Sequence, residues 1–96
     1  MGIEELLCEK REEILQIAAR HGARDVRVFG SVARGEADER SDIDFLVEME
    51  GRRSLFDLGG LLVDLQDLLG QDVDVITPGG LRERMRERVL REAISL

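Results

Sequence analysis

The chain has few of the residue types that build the most common catalytic and metal-binding sites. It contains one cysteine, Cys8, and one histidine, His21. It therefore cannot form an internal disulfide or a zinc site of several cysteines and histidines from its own residues. Its one lysine, Lys10, lies in the predicted first helix, and the motifs G-x-x-x-x-G-K-[ST] and G-x-G-x-x-G do not occur. These absences exclude the usual P-loop and dinucleotide-binding sites.

Basic residues and long apolar runs are also scarce. The chain has 14 lysines and arginines against 21 aspartates and glutamates, which gives a formal net charge of −7 at pH 7. We therefore expect no bulk binding of nucleic acid through its phosphates. No apolar run reaches membrane length, and residues 1–10 carry acids among their leucines with no basic lead-in. We expect a cytoplasmic protein with no membrane association.

The hydrophobic pattern indicates one small domain of mixed helices and strands. The 96 residues, 43% of them apolar, suffice for one core, and no spacer divides them, so we predict a single domain over 1–96. Apolar periodicity predicts an α/β (α+β) fold with two or three layers around a small sheet. The predicted elements are a helix from Ile3 to Gly22, a strand with Val26 and Val28 that stops at Gly30, a strand over 42–47 with one buried face, a turn at Gly51–Ser54, a helix from Leu55 to Gly70 containing Gly59 and Gly60, a strand over 72–76 closed by Thr77–Gly80, and a helix from Leu81 to Ile94.

Three aspartates on predicted strands are the first candidates for catalysis. Asp42 and Asp44 are two residues apart, so both project from one face of a strand, and their mutual repulsion calls for a cation or donor. Asp74 lies on the third strand and joins them if the two strands are adjacent and in register. Such a cluster suits Mg²⁺ or Mn²⁺, and two ions can hold the attacking and leaving oxygens of a phosphoryl displacement. The alternative is a solvated acidic face.

The segment after the first predicted strand is a candidate anion site. Gly30–Ser31 precedes Val32–Gly35, which can begin a helical turn whose free N–H groups and dipole attract a phosphate. The Ser31 hydroxyl would add a donor, and Arg34 would add a fixed charge. The alternative is an ordinary strand-to-helix turn with Ser31 as its N-cap. A short polar link ending at Arg40–Ser41 would bring this turn to face the carboxylates.

The last predicted helix is positively charged in an acidic chain. Residues 81–92 contain five arginines and three glutamates, and five minus three is a net charge of +2. This helix could be a solvated surface, or it could meet an acidic partner or a nucleotide phosphate.

Three motifs together resemble the signature of the polymerase-β-like nucleotidyltransferase superfamily. They are Gly30-Ser31-Val32-Ala33-Arg34-Gly35, Ser41-Asp42-Ile43-Asp44 and Val73-Asp74-Val75-Ile76. Over essentially its whole length the chain is similar to the minimal nucleotidyltransferases, small bacterial and archaeal proteins usually paired with a HEPN-domain partner. The first two motifs in combination are specific, whereas either alone would be weak.

The resemblance implies a mixed sheet flanked by helices and a Mg²⁺-dependent, two-metal transfer of a nucleotidyl group, most often AMP from ATP, to a hydroxyl. By motif position, the catalytic and metal-binding residues would be Asp42, Asp44 and Asp74, and the nucleotide-binding residues would be Gly30, Ser31 and Arg34. Asp74 would lie beside the attacking hydroxyl and help to deprotonate it. Arg34 would alternatively brace its loop by pairing with an acid such as Asp38.

The resemblance also implies a role as the antitoxin that modifies and neutralises a HEPN ribonuclease toxin. The short chain and the leucine-rich helix over 55–69 favour dependence on a partner protein, and so many leucines leave room for an oligomer interface. Two alternatives are open. The first is an antitoxin that acts by binding alone, and the second is a nucleotidyltransferase that modifies a small molecule such as a drug.

Overall fold

The computed structural model of the chain describes residues 2–38, 41–51 and 54–96. Two parts of the sequence prediction, the end of the polar link at Arg40 and the centre of the turn at Arg52 and Arg53, lie outside these described residues. Along the described chain the elements are α1 (Ile3–Glu9), α2 (Arg11–Arg20), β1 (Ala23–Phe29), β2 (Ile43–Met49), α3 (Leu55–Leu69), β3 (Val73–Ile76), a 3₁₀ turn (Pro78–Gly80), α4 (Glu83–Glu92) and β4 (Ile94–Ser95).

The strands form one mixed sheet in the order β3-β2-β1-β4. β1 runs antiparallel to both β2 and β4, whereas β2 and β3 are parallel. Parallel neighbours need a crossover connection, and α3 supplies it between β2 and β3. The predicted fold class, a small mixed sheet with flanking helices, is confirmed.

Helices cover both faces of the sheet, and each face has its own apolar cluster. On the first face, α1, α2 and α3 enclose a core in which Ile14, Phe45 and Leu61 are each 0% exposed. On the second face, Val89 of α4 packs with Leu46 of β2 in a smaller cluster. The prediction that β2 buries only one face is therefore wrong, because α4 covers the side that strand alternation assigns to solvent.

The first predicted helix is interrupted at Lys10, which has φ −98° and ψ 8° between α1 and α2. Ile3 and Leu7 are buried in α1, and Ile14 and Ala18 are buried in α2. Both pairs have the i, i+4 spacing of a helix face, so the apolar pattern runs through the break and cannot reveal it.

The last helix is shorter than the sequence predicts. Helix α4 ends at Glu92, and Ile94 instead starts the short strand β4, where it pairs with Val28 of β1. The Leu96 N–H then donates to the Val26 carbonyl at 3.1 Å. The open backbone edge of β1 offers these hydrogen bonds, and helical periodicity contains no information about that edge.

Helix α3 tolerates two glycines in its interior. It begins with a capping box formed by Ser54 and Asp57 and ends at Gly70 in the left-handed conformation. A Cβ on Gly60 would lie 2.8 Å from the His21 ring, whose Nε2 is 2.6 Å from a carboxylate oxygen of Asp64. Gly60 therefore makes room for the contact between α2 and α3. No helix among the described residues is both long and apolar enough to cross a membrane.

Candidate active site

Asp44 and Asp74 are brought together by the pairing of two parallel strands. The register of β2 and β3 sets Asp44 directly beside Asp74, and their side chains are within hydrogen-bonding reach of each other. On the other side of β2, the register partner of Asp44 is Phe29 at the end of β1. Because Phe29 belongs to the cluster under α4, the acidic pair lies on the second face of the sheet.

The surroundings of Asp44 disfavour its ionised form. Partial burial raises the pKa of Asp44 above its usual value, and the negative charges of Asp74 and then Asp42 raise it further. Arg34 acts in the opposite direction and lowers this pKa, while the hydrogen bond with Asp74 raises it slightly more. The site therefore carries more negative charge than its own basic residue balances, which is the electrostatic condition that a bound cation relieves.

Asp42 lies just before β2, which begins at Ile43, so it is not a strand residue as the sequence predicted. Its side chain is exposed, yet near enough to Asp44 to raise that group's pKa by repulsion. Over residues 2–38, 41–51 and 54–96, no three Asp, Glu, His or Cys side chains are already arranged around one metal position. The donor set consists of carboxylate oxygens, which fits Mg²⁺ or Mn²⁺.

Gly30 approaches Asp44 so closely that no side chain fits between them. Its φ is +68°, and a Cβ at this position would lie 2.5 Å from Oδ2 of Asp44. The left-handed backbone conformation favours glycine here, and a side chain would displace the Asp44 carboxylate. The turn after β1 therefore lies against the acidic pair.

Residues 30–35 form one helical turn, but the next regular element in the described chain is β2 rather than a helix. The Arg34 N–H donates to the Gly30 carbonyl at 3.1 Å, and the Glu36 N–H donates to the Ser31 carbonyl at 2.9 Å. The predicted helix dipole behind this turn is therefore wrong. The N–H groups of residues 31–33 donate to no backbone acceptor in the described part of the chain, so the turn itself can offer donors to an anion.

Arg34 is held by two glutamates. Its Nε donates to Glu36 at 3.0 Å and its Nη1 donates to Glu92 at 2.7 Å. The hydrogen bonds to Glu92 and then Glu36 raise the pKa of Arg34, which keeps it charged beside Asp44. Arg34 thus braces the turn, with Glu36 and Glu92 as partners in place of the suggested Asp38. Sequence reasoning missed Glu92, which lies 58 residues away on α4, because no motif indicates that α4 reaches this turn.

Comparisons with known proteins show to which family the chain belongs. A model of the nucleotidyltransferase domain family matches residues 7–96. A Methanocaldococcus jannaschii relative, which carries the name protein adenylyltransferase, is 40% identical over 88 residues that cover 92% of this chain and 95% of the relative. The protein adenylyltransferase MntA of Thermococcus cleftensis is 39% identical over 92 residues that cover 96% of this chain and 90% of that protein.

Solved structures share the fold. One described as a minimal nucleotidyltransferase matches with a TM-score of 0.89 and 54% identity, and the match covers 100% of this chain and 97% of that chain. A toxin–antitoxin structure with AMP-PNP matches with a TM-score of 0.74 over 88% of this chain and 69% of that chain, and its 20% identity shows the fold alone. The chain therefore belongs to the nucleotidyltransferase domain family, as one of its minimal nucleotidyltransferases.

Proposed function

We propose that this protein transfers AMP from ATP to a hydroxyl group of a HEPN-family ribonuclease toxin and so acts as its antitoxin. The observation that carries the proposal is the acidic pair Asp44 and Asp74 set against the turn at Gly30. A strand-borne acidic pair beside backbone donors is the arrangement that phosphoryl chemistry needs, since one part holds a cation and the other holds phosphate oxygens.

The metal-binding residues would be Asp42, Asp44 and Asp74. Their carboxylate oxygens and the negative charge that raises the pKa of Asp44 suit a hard divalent cation such as Mg²⁺ or Mn²⁺. When bound, one or two such ions would neutralise charge on the attacking and leaving oxygens. Arg34 alone does not supply that neutralisation, because its guanidinium group is already bound to Glu36 and Glu92.

The residues of the turn would orient the nucleotide. The N–H groups of residues 31–33 and the Ser31 hydroxyl would donate to phosphate oxygens, and Gly30 lets the nucleotide come close to Asp44. The acceptor oxygen would then bond to the α-phosphorus as the bond from that phosphorus to the β-phosphate oxygen breaks, releasing pyrophosphate. Asp74, which is exposed at the edge strand, would take the proton of the acceptor hydroxyl.

Two observations support a protein acceptor. Relatives that match nearly all of this chain carry the name protein adenylyltransferase. The first two residues of α3 also have solvent-exposed apolar side chains, with Leu55 84% exposed and Phe56 91% exposed. Large apolar side chains at adjacent exposed positions are typical of surfaces that contact another protein.

A toxin-neutralisation assay distinguishes an antitoxin that modifies its toxin from one that only binds it. The chain would be co-expressed with a HEPN-family ribonuclease toxin, and both growth and the intact mass of that toxin would be measured. We expect Asp44→Asn and Asp74→Asn to lose both the rescue of growth and the added AMP, and Asp67→Asn, an exposed acid on α3, to retain both. Rescue without added AMP in the two site variants would instead establish the binding-only antitoxin.

The binding-only alternative is favoured by the same exposed apolar pair, because masking a toxin needs a contact surface and no carboxylates. Phe56→Ser tests that surface. We expect it to weaken co-purification of the partner while leaving nucleotide binding unchanged, because Phe56 is almost fully exposed and belongs to neither apolar cluster. Unchanged co-purification would remove the reason for placing the partner at α3.

A further inference from the structure

We propose that Arg84 and Arg88 of α4 bind the β- and γ-phosphates of the nucleoside triphosphate, the part that leaves as pyrophosphate. This inference rests on the proposed nucleotidyl transfer and assigns it two further substrate-binding residues. None of the family motifs in the sequence contains either arginine, since the last motif ends at Ile76.

The first support is a cleft between α4 and the turn after β1. Its volume is about 350 Å³, and it is lined by Gly30 and Arg34 on one side and by Arg84, Met85 and Arg88 on the other. Sites for small ligands typically have volumes of roughly 300–1,000 Å³. Gly30 also abuts Asp44, so one residue borders both the acidic pair and the cleft.

The second support is the charge of this cleft. Three arginines and one glutamate line it, and three minus one is a net charge of +2 in a chain whose total is −7. Arg84 and Arg88 are one helical turn apart, a spacing at which like charges repel. Within the described ranges neither forms an ion pair, and Glu92, four residues after Arg88, is bound to Arg34 instead. An anionic ligand would supply the missing countercharge.

A triphosphate tail matches this arrangement in both charge and position. Transfer requires the α-phosphate beside Asp44 and Asp74, and the β- and γ-phosphates continue from it through two further bridging oxygens. A tail that passes Gly30 enters the cleft. Guanidinium groups bind phosphate oxygens with two parallel hydrogen bonds, so Arg84 and Arg88 together would hold the leaving pyrophosphate in line with the bond that breaks.

Calorimetric titration of the whole chain with AMP-PNP and with AMP, both in Mg²⁺, tests the assignment. We expect Arg84→Gln and Arg88→Gln each to weaken AMP-PNP binding about tenfold, or about 1.4 kcal/mol, and to change AMP binding less than roughly twofold. Arg91→Gln is the matched control, because Arg91 is an exposed arginine of α4 outside the cleft. It should change neither affinity. Arg88→Lys keeps the positive charge but loses the two parallel hydrogen bonds of the guanidinium group. Its affinity for AMP-PNP should therefore lie between those of the wild type and Arg88→Gln.

Two results would overturn the assignment while leaving nucleotidyl transfer in place. They are unchanged AMP-PNP affinity in both glutamine variants, or equal losses for AMP and AMP-PNP. A wild-type chain that binds neither nucleotide would instead refute the proposed function. Circular dichroism of each variant verifies the helix content, so a lost affinity cannot come from a misfolded α4.

Discussion

Replacing Gly30 with alanine should destabilise the fold through two separable effects. The left-handed conformation costs a residue with a side chain about 1–2 kcal/mol, and Gly30 has φ +68°. The new Cβ would also lie 2.5 Å from Oδ2 of Asp44, and turning that carboxylate away from its rotamer costs roughly 0.5–1.5 kcal/mol. The sum, about 1.5–3.5 kcal/mol, should lower Tm by at least about 6 °C in a domain of this size. Nucleotidyl transfer should fall as well, because the displaced carboxylate belongs to the proposed metal site.

A matched glycine isolates the steric effect. Gly70 has φ +64° and nothing within 4 Å of its virtual Cβ, so Gly70→Ala should cost only the backbone contribution of about 1–2 kcal/mol. In an Asp44→Ala background, Gly30→Ala should cost the same as Gly70→Ala, giving a coupling energy of roughly 0.5–1.5 kcal/mol in the double-mutant cycle. The assay is urea unfolding followed by far-ultraviolet circular dichroism, because the chain has no Trp or Tyr. Equal costs at Gly30 and Gly70, with no coupling to Asp44, would refute the close approach.

Three further substitutions are predicted to change stability in defined directions. Gly59→Ala should raise stability by about 1 kcal/mol through helix propensity, because a Cβ at this position meets nothing within 4 Å. Gly60→Ala should lower Tm, because its Cβ would lie 2.8 Å from the His21 ring. Thermal melts that rank the two variants in the opposite order would contradict this. Asp44→Asn should stabilise the metal-free protein near neutral pH. Folding raises the pKa of Asp44 above its ordinary value near 4, so ionisation of this group lowers the free energy of unfolding as the pH rises above that value. The gain from Asp44→Asn should therefore shrink as the pH falls towards that value, and a gain that does not depend on pH in EDTA would count against the electrostatic cause.

The sequence predicted the parts of the site that rest on short-range patterns. Two-residue alternation placed Asp44 and Asp74 on strands, and glycine after an apolar strand located the turn at Gly30. The register of β2 and β3 then sets the two aspartates side by side. Asp42 was placed within the strand, but β2 begins one residue later, because only strand pairing defines where a strand starts.

The position of α4 could not be predicted. Its arginine-rich sequence left open a solvated surface, an acidic partner or a nucleotide phosphate, and only the fold shows that Val89 packs on the second face of the sheet. That packing carries Glu92 to Arg34 and sets Arg84 and Arg88 across the cleft from Gly30. A contact between residues 58 positions apart leaves no trace in local periodicity.

ATP that carries an isotope label on a known phosphate tests whether Asp44 and Asp74 support transfer of a nucleotidyl group. The chain would be incubated with a HEPN-family toxin, the proposed acceptor, together with Mg²⁺ and ATP labelled on either the α- or the γ-phosphate. We expect covalent label in the toxin from α-labelled ATP only, lost with Asp44→Asn or Asp74→Asn and kept with Asp67→Asn. Label from γ-labelled ATP, or undiminished α-label in both site variants, would contradict this prediction.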